Sequence, residues 1–97
     1  MKYFKVQALR TALRYDITRE SFEEATGNKF PYESRDSDGR ISQFGVCPSC
    51  LTPIQLIGLV REIKVSSYGK HTGKAIEGVA RWNQIKYEYC PYLSNNN

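Results

Sequence analysis

Phe44-Gly45-Val46-Cys47-Pro48-Ser49-Cys50-Leu51-Thr52-Pro53-Ile54 is the stretch on which the fold turns. Two cysteines separated by two residues let both thiolates converge on one ion while the backbone between them turns as a knuckle. On the N-terminal side, Ile41-Ser42-Gln43-Phe44-Gly45-Val46 alternates as a strand does, and Asp38-Gly39 before it is a turn signal. On the C-terminal side, Pro53 to Val60 reads as a second strand, which Arg61 to Val65 continues or pairs back upon. A knuckle held between two strands is the expected centre of the molecule.

A closed zinc site needs four ligands. Beyond Cys47 and Cys50 the chain holds one further cysteine, Cys90, and a single histidine, His71. Twenty residues separate Cys50 from His71 and eighteen separate His71 from Cys90, room enough for one supersecondary element to return each ligand. The expected site is therefore Cys47, Cys50, His71 and Cys90 around a structural Zn²⁺. Three thiolates leave such a site one unit negative, a charge that Lys70 and Lys74 are placed to offset. The histidine is expected to turn one ring nitrogen to the metal and to donate the other N–H to an oxygen. Asp, Glu or a water in place of His71 stays open as the fourth ligand. A redox CxxC would need a helix N-terminus and a βαβ setting, and the sequence offers neither. Three buried, unreactive thiols are the remaining alternative, but a small core gains much from a metal.

The rest of the chain follows from this centre. Val6, Leu9 and Leu13 lie at helical spacing, so Tyr3–Val6 reads as a short strand running into a turn of helix. Thr18 is an N-cap, with Glu20, Glu23 and Glu24 near the positive end of a two-turn helix that Gly27-Asn28 stops. Residues 31–40 read as a loop, and 66–76 as a Gly- and Lys-rich loop holding His71. Val79, Trp82 and Ile85 recur at helical spacing and predict a short helix before Cys90. The expected fold class is α+β: one small domain over residues 1–93, with a short antiparallel sheet around a zinc knuckle and two or three short helices. Residues 94–97 read as a polar, unordered tail.

Length and charge set the outer bounds. Ninety-seven residues with 40% hydrophobic and 25% charged side chains make one soluble domain with a modest core. No apolar run approaches a membrane span, and Met1 to Arg10 lacks the apolar region of a secretory signal. Three cysteines, an odd number, suit a reduced, cytoplasmic chain better than a disulfide framework. The net charge is +4. Eight cations face seven carboxylates in residues 1–46, whereas six face three in residues 47–97, so the basic excess sits with the cysteines.

Tyr68, Lys70, Lys74, Arg81 and Lys86, interleaved with Trp82, Tyr87, Tyr89 and Tyr92, form a cationic and aromatic group suited to a macromolecular partner. Trp82, with Tyr87 or Tyr89, reads rather as a cover over the metal site. Tyr68 to Lys74 falls one residue short of a Walker A loop and lacks its Ser or Thr. One histidine excludes a multi-histidine catalytic centre. No enzyme is expected.

The quoted motif, Phe44 to Cys50 with Pro53-Ile54 and the later Tyr68-Gly69-Lys70-His71, resembles the small zinc-ribbon (zinc-knuckle) modules of bacteria and mobile elements. It is also similar to the N-terminal zinc segment of competence-associated nuclease-like proteins, in which C-P-x-C precedes an aromatic-x-x-His. The likeness covers residues 41–71. No nuclease core follows, so that activity is not implied, and Tyr89-Cys90-Pro91-Tyr92 departs from the pattern. In size and character the chain is similar to phage-encoded anti-CRISPR (anti-defence) proteins, inhibitors that occupy a surface of a host nuclease. That resemblance implies a host protein or nucleoprotein partner, such as an RNA-guided nuclease, in the host cytoplasm. A zinc-ribbon nucleic-acid-binding module or regulator is the alternative, separated from the first by the salt dependence of binding to free strands.

Overall fold

Alternation builds the centre of the fold as expected. In a computed structural model, which describes residues 1–59 and 67–92, β4 (Ile41–Val46) and β5 (Pro53–Ile57) pair antiparallel on either side of the 47–52 turn. Phe44 stands opposite Gln55, Gly45 opposite Ile54 and Val46 opposite Pro53. Ile54 and Leu56 are buried with Phe4, Ile17, Phe22, Leu59 and the three cysteines in one core cluster. Gly58, at φ +91°, turns the chain out of β5, three residues earlier than the sequence suggests. Val60 and the expected continuation over Arg61 to Val65 lie outside the described residues, as does the 94–97 tail.

Around this pair stand β1 (Tyr3–Lys5), β2 (Arg14–Asp16), β3 (Glu33–Arg35) and β6 (Tyr68–His71). The sheet order is β2-β1-β4-β5-β6, with β3 on the first half of β4. Every pairing is antiparallel. The Gly69 N–H donates to the Met1 carbonyl at 3.2 Å, so β6 comes round to the start of β1 and the sheet curls toward closure. Residue 69 has no room for a side chain: a Cβ there would lie 2.8 Å from Ile54 Cδ1 and 3.1 Å from Met1 Cγ. With α1 (Arg19–Thr26) and α2 (Gln84–Glu88), the described residues form a small domain dominated by its sheet, only loosely the α+β arrangement expected.

α1 forms where its caps place it. Thr18 Oγ1 accepts from Ser21 N at 3.1 Å, Gly27 ends the helix at φ +68°, and Phe22 is the residue it buries. Four other expectations fail. Residues 6–13 form no helix: the Lys5 ammonium is buried and takes the carbonyls of Leu9 (3.0 Å) and Arg10 (2.9 Å), which a helix would have used in its own ladder. Leu9 and Leu13 are left 54% and 74% exposed.

The segment read as a loop over 31–40 contains β3, polar throughout but locked to β4 by Gln43 Nε2 donating to Glu33 Oε1 at 3.0 Å. Beyond it, Asp36 Oδ1 accepts from the N–H groups of Asp38 and Arg40, both at 2.9 Å, and shapes the expected Asp38-Gly39 turn. His71 lies on β6, not in a loop. Val79, Trp82 and Ile85 do not share one helix face: Val79 is buried in the loop closed by the Ile76–Ala80 bridge, and Ile85 is exposed on α2.

Candidate metal centre

Three local devices deliver the four candidate ligands. The knuckle closes through Cys47 N donating to the Thr52 carbonyl (2.8 Å) and Leu51 N to the Cys47 carbonyl (3.0 Å). This turn forces Leu51 into the left-handed region at φ +62°. His71 ends β6, directly across from Ile54 on β5. Cys90 follows α2, whose N-cap Asn83 accepts from Lys86 N at 3.0 Å, and Cys90 N donates to the Tyr87 carbonyl at 3.0 Å. The loop before α2 is seated on Pro31, because a Cβ on Gly78 would lie 2.8 Å from Pro31 Cγ.

These devices bring Cys47, Cys50, His71 and Cys90 together with all four donor atoms within 4.8 Å of one another. Cys47 Sγ is 3.6 Å from Cys90 Sγ, and His71 Nε2 is 3.5 Å from Cys50 Sγ and 3.6 Å from Cys90 Sγ. A tetrahedron with metal–sulfur bonds of about 2.3 Å and metal–nitrogen bonds of about 2.0 Å has edges of about 3.8 Å between sulfurs and about 3.5 Å from sulfur to nitrogen. The observed separations fit those edges, so the cluster can hold a metal ion. All three cysteines are unpaired and buried.

The metal-free thiols are not equivalent. Cys50 is driven down from the ordinary thiol value of 9.0 to about 3, chiefly by a hydrogen bond from the Cys47 thiol, against the opposing cost of burial. His71 and the Thr52 hydroxyl, 2.9 Å from the sulfur, add to the effect. Cys47 is pushed up by its hydrogen bond to Cys50 and by burial. Cys90 is pushed up by burial, partly offset by the Tyr92 N–H at 3.4 Å from its sulfur. The thiolate is thus favoured at Cys50, and protons on Cys47 and Cys90 are the ones a metal would displace.

Nε2 is the ring nitrogen that faces the sulfurs. The expected partner for the other nitrogen is missing: Nδ1 is buried with no hydrogen-bond partner among the described residues. What packs against the His71 ring is aromatic. The Tyr87 ring meets His71 edge-on at 4.9 Å, and Trp82 lies 4.9 Å beyond it against Tyr87. Trp82 and Tyr87 thus cover the site as the sequence suggests, whereas Tyr89 is exposed. Lys70 points to the opposite face of β6 from His71, by strand alternation, and Lys74 stands exposed in the following turn. N–H and O–H donors from Tyr92 and Thr52 adjoin the sulfurs instead. Tyr68, Arg81 and Lys86 are exposed. Thr52 and Leu51 went unnoticed in the sequence, although a threonine two residues past a CxxC is a visible signal.

No helix among the described residues is long and apolar enough to cross a membrane. Compared with known proteins, the chain matches no family model, no curated protein and no solved structure.

Proposed function

We propose that this protein is a zinc-stapled, non-enzymatic domain that acts by binding a macromolecular partner. The observation that carries the metal half of the reading is the set of four donor atoms all within 4.8 Å of one another, with Cys47–Cys90, Cys50–His71 and Cys90–His71 at tetrahedral edge lengths. Three soft thiolates and an imidazole in that geometry suit Zn²⁺ above other common divalent ions. Since four side chains of the chain itself complete the shell, no position is left for substrate or for an activated water, which supports a structural role.

The partner half rests on the small size, the basic balance and the anti-defence resemblance, which together favour a host nucleoprotein such as an RNA-guided nuclease in the cytoplasm. Metal analysis of protein purified without added metal, with thiol titration before and after chelation, tests the staple. About one zinc per chain is expected, with thiols shielded until it is removed. Cys47→Ser and Cys50→Ser should lose the metal outright. Three freely reactive thiols and no metal would overturn the reading.

A further inference from the structure

The outer face of the sheet carries side chains that neither the core nor the metal centre uses. On β6, Gly69 backs onto Ile54 and His71 turns to the cysteines, so Tyr68 and Lys70 face outward. On β5, Ile54 and Leu56 are buried, which leaves Gln55 and Ile57 on the outer side. The register sets Ile57 beside Tyr68 and Gln55 between Phe44 and Lys70. On β1, Phe4 is buried and Tyr3 looks outward, with the Arg14 guanidinium 4.6 Å above its ring. Because Gly69 bonds to Met1, β1 runs beside β6, and Tyr3 and Tyr68, each 37% exposed, belong to one surface. Among the described strand residues facing outward there, the one carboxylate is Asp16, opposite Tyr3 at the β2 edge.

Half-exposed rings on a rigid sheet, flanked by cations and an amide, match what unpaired bases require. The rings stack bases, the cations meet phosphates, and the amide can read a base edge. A duplex hides its bases and gains nothing from the rings. Tyr and Arg also serve protein interfaces, but the outward cations Arg14 and Lys70 and the +4 chain favour an anionic partner.

We propose that the outer face of β1, β5 and β6 binds single-stranded nucleic acid, with bases stacked on Tyr68 and Tyr3 and phosphates held by Lys70 and Arg14. This names the partner's chemistry within the binding role proposed above and rests on that role.

The test is fluorescence anisotropy of the zinc-loaded full chain with labelled oligouridylate, oligothymidylate and a mixed-sequence duplex, from about 50 to about 200 mM salt. Single strands should bind at least about tenfold tighter than duplex, and the two homopolymers distinguish RNA from DNA. Tyr68→Ala and Tyr3→Ala should each weaken binding about tenfold. Lys70→Gln should lower the slope of log affinity against log salt by about 0.7. Arg40→Gln, the same loss of charge in the β3–β4 turn, should leave the slope unchanged.

Should a tyrosine variant lose its zinc, Lys70→Gln and Arg14→Gln decide, since both side chains are exposed. The proposal falls if no strand binds at the lowest salt, if duplex binds equally well, or if the face variants behave as wild type. A zinc-loaded chain that ignores every oligonucleotide overturns this face and points to a protein surface, while the metal staple stands. Loss of the staple would appear separately in the metal analysis.

Discussion

The sheet and the segment after it are held by different means. In the sheet half, Phe4, Phe22, Val46 and Ile54 are all fully buried or nearly so, and apolar packing does the work. Between residues 72 and 92, Val79 and Cys90 are the buried side chains, and α2 buries none. That segment is attached through Gly78 on Pro31, Thr72 N to the Pro53 carbonyl at 3.2 Å, the Trp82–Tyr87–His71 stack and the Cys90 sulfur. In the second region the Cys47, Cys50, His71 and Cys90 cluster, which can hold a metal ion, stands where the first has a hydrophobic core.

The largest effect expected is therefore metal removal. Structural zinc contributes on the order of 10 kcal/mol to folding in small modules. Chelation should strip hydrogen-exchange protection from the amides of Val79, Ala80 and Cys90 while Gly45 and Ile54 keep theirs at low temperature. Simultaneous loss in both regions would break the comparison and make the molecule one cooperative unit.

Phe22→Ala is the converse. It should cost about 3–5 kcal/mol in thermal or urea unfolding, yet the cold, folded variant should still carry one zinc per chain by metal analysis. A variant that folds without metal would show that the cluster depends on the core beneath it.

Protons sharpen the picture next. With Cys50 already ionised down to about pH 3 and Cys47 and Cys90 held as thiols, metal uptake near neutral pH should release about two protons from the cysteines. Apparent affinity then rises with pH by about 2.7 kcal/mol per unit and falls correspondingly in acid. In the metal-free chain, the lowered value of Cys50 contributes stability that is complete above about pH 9, where the raised values of Cys47 and Cys90 oppose it. That contribution drains as pH falls toward about 3. Competition titrations with a chromophoric chelator at several pH values measure the slope, and three protons from the thiols would mean that Cys50 starts protonated.

The smallest effect concerns the knuckle. Leu51→Gly removes a left-handed strain of about 1–2 kcal/mol but adds freedom to the unfolded chain, for a net gain of about 1 kcal/mol or less. A melting temperature raised by a few degrees, with zinc content unchanged, is the expected outcome. A clear loss would mean that the half-buried Leu51 side chain contributes more by packing than its backbone costs.

The candidate metal cluster was legible because chemistry restricts which residues can serve as ligands and how Cys47 and Cys50 must be spaced. α1 was legible because Thr18 and Gly27 mark its ends with groups that satisfy or terminate a backbone ladder. β3 was not, since Glu33, Ser34 and Arg35 show no apolar alternation and owe their conformation to β4. β6 was hidden for a related reason: glycine and lysine read as loop, but Gly69 is there to approach Ile54 and the Met1 carbonyl. The false helix over residues 6–13 came from counting Leu9 and Leu13 as a face, when the nearby buried cation decides where that backbone goes. The missing partner of His71 Nδ1 depends on tertiary placement of Tyr87, which no local pattern encodes.

That buried cation gives the molecule a built-in clock. An amine-reactive acylating reagent can modify Lys5 only after its nitrogen leaves the carbonyls of Leu9 and Arg10, so its labelling rate counts openings of the 6–13 loop. Lys2, Lys29, Lys70, Lys74 and Lys86 are exposed and should react at once, supplying the reference rate within the same sample. Mass spectrometry of the peptides would then report how often the β1–β2 hairpin breathes, with no residue substituted.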